Sequence, residues 1–158
     1  MATWQFDFHL IPASSVERRF QAVPVTIARE QYDRTDWWDG FDLQREIEED
    51  FSELLPRGRS WDSERNTWGQ EDGDRFDVLR EGHRMAEVYG RLDVRRLSLP
   101  FLSRVLEVVR QRELLIVTED RHLLRPSIKE LLAAIHRSRS FAFVTDPEGF
   151  LSQLAKSE

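Results

Sequence analysis

The stretch Arg75-Phe76-Asp77-Val78-Leu79-Arg80, Glu81-Gly82-His83, Met85-Ala86-Glu87-Val88-Tyr89-Gly90-Arg91-Leu92-Asp93-Val94 decides the fold. In its second arm Val88, Gly90, Leu92 and Val94 alternate with Glu87, Tyr89, Arg91 and Asp93. That two-residue period is the mark of a strand with one buried and one wet face. The turn residues between the arms predict a hairpin and therefore antiparallel pairing. Downstream, Ser98 is a suitable N-cap, and Phe101, Leu102, Val105, Leu106 and Val109 form the stripe of an amphipathic helix. The apolar run Leu114-Leu115-Ile116-Val117 then suits an interior strand, reached from the hairpin by a helix of crossover length.

Toward the N-terminus, Trp4, Phe6, Phe8 and Leu10 alternate with Gln5, Asp7 and His9. This predicts a first strand that ends at Pro12 and leaves its polar residues, His9 included, in solvent. Ser14 and Glu17 have capping-box spacing for a short helix that turns Val16 and Phe20 inward. Pro24-Val25-Thr26-Ile27 fits either a short strand or an irregular approach to the next helix. Leu43, Ile47, Phe51, Leu54 and Leu55 recur at helical spacing over 42–55, and Pro56 with Gly58 closes the run. The polar segment 57–74 reads as loop, with a short strand around Thr67 and Trp68.

Toward the C-terminus, Glu119-Asp120 reads as a turn and His122-Leu123-Leu124 as a short returning strand. Ser127-Ile128-Lys129-Glu130 is a capping box for a helix that faces Ile128, Leu131, Leu132 and Ile135 inward. Phe141-Ala142-Phe143-Val144 reads as a further strand. Asp146-Pro147 opens a terminal helix packed through Phe150, Leu151 and Leu154. Strands and helices mix without regular alternation. The expectation is α+β: a single two-layer domain over 1–158, with a mixed, mostly antiparallel sheet and helices packed on one face.

The chain has 158 residues, 40% of them hydrophobic, and no cysteine. That length and composition can fill a core, and the missing thiol excludes disulfides, thiolate zinc sites, iron–sulfur clusters and cysteine nucleophiles. Met1–Leu10 lacks the basic start and apolar stretch of a secretory signal, and no apolar run approaches membrane-spanning length. A soluble cytoplasmic chain that begins at Met1 is expected. The formal net charge of −6 argues against general nucleic-acid binding, which accumulates positive charge.

There is no glycine-rich phosphate loop and no Gly-x-Ser-x-Gly elbow. His9, His83, His122 and His136 are too scattered for paired metal ligation along one helix, so neither metal nor cofactor is expected. Glu71-Asp72-Gly73-Asp74 lacks the further ligands of a calcium loop and reads as a turn. Glu119, Asp120 and His122 are the one arrangement with catalytic chemistry. Carboxylates there could hold magnesium and the imidazole could move protons, which makes a small hydrolase or nuclease the alternative function. Missing motifs weigh against an enzyme without excluding one.

Charge is unevenly distributed. Between positions 36 and 53, Asp36, Asp39, Asp42, Glu46, Glu48, Glu49, Asp50 and Glu53 face a single Arg45, whereas positions 80–139 are net basic. The acidic run is either a solvated face or a surface that steers a basic partner, and the basic half could neutralise part of it internally. Trp37 and Trp38 lie within the acidic segment, and Trp61 and Trp68 follow it. Aromatic anchors rimmed by charge are typical of interfaces. The leading expectation is a non-enzymatic protein-binding chain that meets a basic protein through Trp37, Trp38, Asp39, Asp42, Glu46, Glu49, Asp50, Glu53, Trp61 and Trp68. Self-association stays open.

The segments Arg91-Leu92-Asp93-Val94-Arg95, Phe101-Leu102, Leu115-Ile116-Val117-Thr118-Glu119-Asp120, Ser138-Arg139 and Phe143-Val144-x-Asp146-Pro147 with Phe150-Leu151 are similar to those of a group of small uncharacterised bacterial proteins. Trp37-Trp38 and Leu55-Pro56-x-Gly58-x-Ser60-Trp61 extend the likeness to about half the chain. Some members of that group resemble immunity proteins of toxin–immunity systems. The resemblance implies an immunity-type inhibitor as one form of the binding function, and it implies no catalytic residue.

Overall fold

A computed structural model describes residues 2–157. Along the chain run β1 (Gln5–Pro12), α1 (Ala13–Phe20), α2 (Arg29–Arg34), α3 (Gln44–Leu54), β2 (Arg65–Gly69), β3 (Arg75–Glu81) and β4 (Arg84–Asp93). After a 3-10 turn at Val94–Arg96 come α4 (Leu99–Gln111), β5 (Leu114–Thr118), β6 (Leu123–Leu124), α5 (Ile128–Arg137), α6 (Arg139–Thr145) and α7 (Pro147–Lys156). The strands form one sheet in the order β2-β3-β4-β1-β5-β6, and every neighbouring pair is antiparallel. The fold is α+β. The hairpin is β3–β4, turning at Gly82 with φ +67°, and α4 carries the chain over β1 to its far side.

Register explains the core. Phe6, Phe8 and Leu10 of β1 align with Leu92, Gly90 and Val88 of β4, and Phe76 and Val78 of β3 continue the same face. Gly90 leaves the space that the Phe8 ring fills; a Cβ at position 90 would collide with that ring. Helices α3 and α4 close this face. Phe51 stacks on Phe76 at 4.4 Å between ring centroids, and Phe101 lies 6.4 Å from Phe76. Leu102, Val105, Leu106 and Val109 of α4 are buried there, with Leu131, Ala134 and Ile135 of α5 in the same cluster. Each buried Leu, Ile, Val or Phe side chain there contributes roughly 1.5–3 kcal/mol by leaving water.

The opposite face departs from the expected wet surface. Asp7 of β1 and Asp77 of β3 are buried and His9 is half-buried. Their burial is tolerated because the polar atoms are paired. Arg91 Nε donates to Asp7 Oδ1 at 3.0 Å, and Arg75 Nε donates to both oxygens of Asp77 at 3.1 Å. The Thr67 hydroxyl donates to Asp77 Oδ1 at 2.6 Å. Tyr32 of α2 covers His9 with ring centroids 6.2 Å apart. Burial pushes the His9 imidazole below its ordinary value, against the opposing pull of Glu87 and Asp7. The large helices therefore share one face, while α2 and a charge network shield much of the other.

Four local expectations change, one being that Ile128 at the start of α5 is exposed rather than turned inward. Residues 141–144 lie in helix α6 rather than in a strand, because the Ser138 hydroxyl accepts from Phe141 N at 3.2 Å and starts a helix there. Ser14 does not cap α1, whose N-cap is Pro12 with no side-chain bond. Helix α7 begins at Asp146-Pro147 as expected, with Asp146 Oδ1 accepting from Gly149 N at 3.1 Å, but Leu151 and Leu154 are exposed and only Phe150 packs, against Phe143.

Both outer strands carry further backbone bonds. Gly58 N donates to Thr67 O and Gly69 N to Pro56 O, each at 2.8 Å, so segment 56–58 lies along β2. On the other side Leu123 N donates to Val25 O at 2.9 Å and Ile27 N to Arg121 O at 3.1 Å. Positions 24–27, ambiguous in the sequence, thus make an isolated bridge that borders β6.

Candidate functional site

Three of the four tryptophans expected to anchor a partner are interior. Trp37 is 5%, Trp38 1% and Trp68 0% exposed. Each has its indole N–H satisfied: Trp37 donates to Tyr32 O at 3.1 Å, Trp38 to Leu10 O at 3.2 Å, and Trp68 to the Ser52 hydroxyl at 2.9 Å. Large apolar area with a bonded polar tip favours the core, so these rings offer no docking surface. Trp61 differs. It is 85% exposed in the loop before β2, with the Arg65 guanidinium 5.7 Å from the ring centroid.

The acidic segment separates into a spent part and a free part. Asp36 and Asp39 both pair with Arg84 at the start of β4. Asp50 binds Arg112 with two parallel bonds, Nε to Oδ2 at 2.8 Å and Nη2 to Oδ1 at 3.0 Å. Arg112 is held above its ordinary value, first by the hydrogen bonds it donates to Asp50 and then, against the opposing effect of desolvation, by the charges of Asp50, Glu46 and Glu49. Glu48 accepts from Gln44 at 3.3 Å and from Asn66. Glu49 meets Arg45 at 3.0 Å as an exposed i,i+4 pair, an arrangement worth a few tenths of a kcal/mol. Among the described residues Asp42, Glu46 and Glu53 make no ion pair. An open groove of about 720 Å³ runs beside α3, lined by Asp42, Glu48, Glu49, Glu53, Arg45 and Arg57, with the Arg57 guanidinium covering the buried Trp68 ring at 4.7 Å.

The catalytic alternative takes a definite geometry. Arg121 adopts φ +63° in the turn after β5, and the chain returns so that Thr118 N donates to His122 O at 3.0 Å. The Thr118 hydroxyl donates to Asp120 Oδ1, and His122 Nδ1 lies 3.0 Å from Asp120 Oδ2. Burial works against ionisation of Asp120, but the bonds from Thr118 and His122 outweigh it and hold the carboxyl below its ordinary value. The contact places the imidazole beside the carboxylate, and His122 Nε2 makes no hydrogen bond among the described residues. Glu119 is exposed and lines a cavity of about 460 Å³ together with Asp120, His122, Asp7, Arg137 and Arg139. The two arginines were not legible as part of this group, because a helix separates them from the turn and no motif marks the spacing. Among the described residues no group of three or more His, Asp or Glu is placed to hold a metal ion.

Among the described residues no helix is long and apolar enough to cross a membrane. Comparison of the chain with protein-family models, with curated proteins and with solved structures returned no match.

Proposed function

We propose that the chain is a protein-binding module whose partner is basic and that it acts through the α3 groove, with inhibition of that partner in the manner of an immunity protein as its specific form. The observation that supports this reading is the division of the acidic segment: Asp36, Asp39 and Asp50 are consumed internally, whereas Asp42 and Glu53 make no ion pair among the described residues and line an open groove. Uncompensated surface charge costs the fold a little and favours encounter with an oppositely charged surface. Trp61 is the one exposed aromatic ring available as an anchor among those expected.

The test is capture from a lysate of the source cell with the wild-type chain and with the triple variant Glu46→Lys, Glu49→Lys, Glu53→Lys. Basic proteins retained by the first and lost by the second, with unchanged melting temperature, support the reading. Identical retained sets overturn it.

A further inference from the structure

The cavity at the β5–β6 turn holds charges that its own structure does not use. Its carboxylates Asp7 and Asp120 are committed, the first to Arg91 at 3.0 Å and the second to Thr118 and His122. Its hydroxyls are committed as well: Ser138 Oγ donates to Ile135 O at 2.6 Å, and Ser140 Oγ donates to Gln5 O. Arg137 and Arg139, in contrast, make no ion pair among the described residues; Arg139 only approaches the Phe150 ring, at 5.8 Å. Arg137 sits in the last turn of α5, where the helix dipole favours a cation, but that does not saturate its five donors. Glu119 is the one wall carboxylate without a partner among the described residues. The uncommitted charge is thus two guanidinia against one carboxylate, next to an imidazole with a free Nε2.

We propose that this cavity is a binding site for a phosphate group, carried by free phosphate or by a small phosphomonoester, with Arg137, Arg139 and His122 as its ligands. A tetrahedral oxyanion has enough acceptor oxygens to meet two guanidinia and an imidazole at once, whereas a carboxylate would satisfy only one fork. The volume of about 460 Å³ exceeds what phosphate alone occupies and leaves room for an organic substituent. The site shares no residue with the α3 groove and stands or falls independently of it.

The experiment is calorimetric titration of the full chain with inorganic phosphate and, separately, with phenyl phosphate at constant ionic strength, with the histidine ring signals followed by NMR. A saturable dissociation constant on the order of 1 mM, accompanied by a shift of the His122 ring, is expected. Arg139→Gln and Arg137→Gln, both at exposed positions, are expected to weaken binding about tenfold each, as loss of a charge-assisted bond implies. Glu119→Gln is expected to tighten it several-fold, an effect that damage to the fold could not produce. Tighter binding of phenyl phosphate assigns the site to a phosphomonoester, and equal binding assigns it to free phosphate. Absence of a saturable His122 shift, or one unchanged in both arginine variants, overturns the proposal.

Discussion

Asp50 of α3 and Arg112, the residue that ends α4, clasp each other through two bonds of 2.8 and 3.0 Å, although they lie 62 positions apart. The pair ties the acidic helix to the strand that follows Arg112, so the acidic run is partly a structural brace. The side chains are 14% and 28% exposed, between the regimes of surface and buried pairs. Arg112→Ala is therefore expected to cost about 1–2 kcal/mol in denaturant unfolding. A double-mutant cycle with Asp50→Asn should return a coupling of similar size.

Gly90 is expected to refuse even one methyl group. The Cβ of Ala would enter the Phe8 ring at the centre of the sheet, and both residues are buried. Gly90→Ala should destabilise by about 1–3 kcal/mol, and Phe8→Leu in the same chain should recover part of that loss. Additive losses in chemical denaturation would contradict this account of the contact.

The tryptophans should separate cleanly on truncation. Trp68→Ala removes a fully buried ring that meets Phe51 edge-on at 5.5 Å and donates to Ser52, and it is expected to cost roughly 3–5 kcal/mol. Trp61→Ala should stay within about 0.5 kcal/mol of wild type. Its emission, measured in a chain lacking the other indoles' contribution by difference, should lie at the wavelength of solvated indole.

Asp93 and Asp74 are neighbours whose carboxyls respond oppositely to acid. The Arg95 guanidinium and backbone hold Asp93 below its ordinary value despite burial. Burial pushes Asp74 upward, although the Asp93 N–H bond at 2.8 Å works the other way. A depressed carboxylate stabilises the fold above its unfolded value of about 3.9, and that contribution is lost as pH falls through the folded value. Asp93→Asn should therefore lower the melting temperature at neutral pH and narrow its gap to wild type in acid. For Asp74 the folded value is the higher one, so its charged form costs stability above that value and the cost disappears on protonation. Asp74→Asn keeps a carbonyl acceptor for Asp93 N and should raise the melting temperature at neutral pH, with the gain vanishing in acid.

The hairpin, α3, α4, β5 and the caps at Ser98, Ser127 and Asp146 follow from period and cap chemistry alone, because each rests on near neighbours in the chain. Residues 141–144 were misread because a four-residue apolar run carries neither period strongly, and Ser138 decided the matter from three positions upstream. The wet face assigned to β1 failed for a different reason. Asp7 is buried against Arg91 of β4 and His9 is covered by Tyr32 of α2 and Tyr89 of β4, and alternation cannot tell a solvated aspartate from one held by arginine. At the sites, the acidic residues were visible by count, but which were neutralised depended on Arg84 and Arg112, far along the chain. The Asp120–His122 contact was within reach of local spacing, whereas the arginines that line the same cavity were not.

The backbone bonds that segments 56–58 and 25–27 make along β2 and β6 bear on how anything can attach to this molecule. A sheet with open flanks invites an incoming strand, whether from a partner or from another copy, and such additions recruit partners with little regard for side chains. Here the chain has used its own connecting segments to occupy parts of both flanks. Recognition is thereby pushed onto side chains, where charge and shape can discriminate, and runaway stacking of copies through their sheets is discouraged.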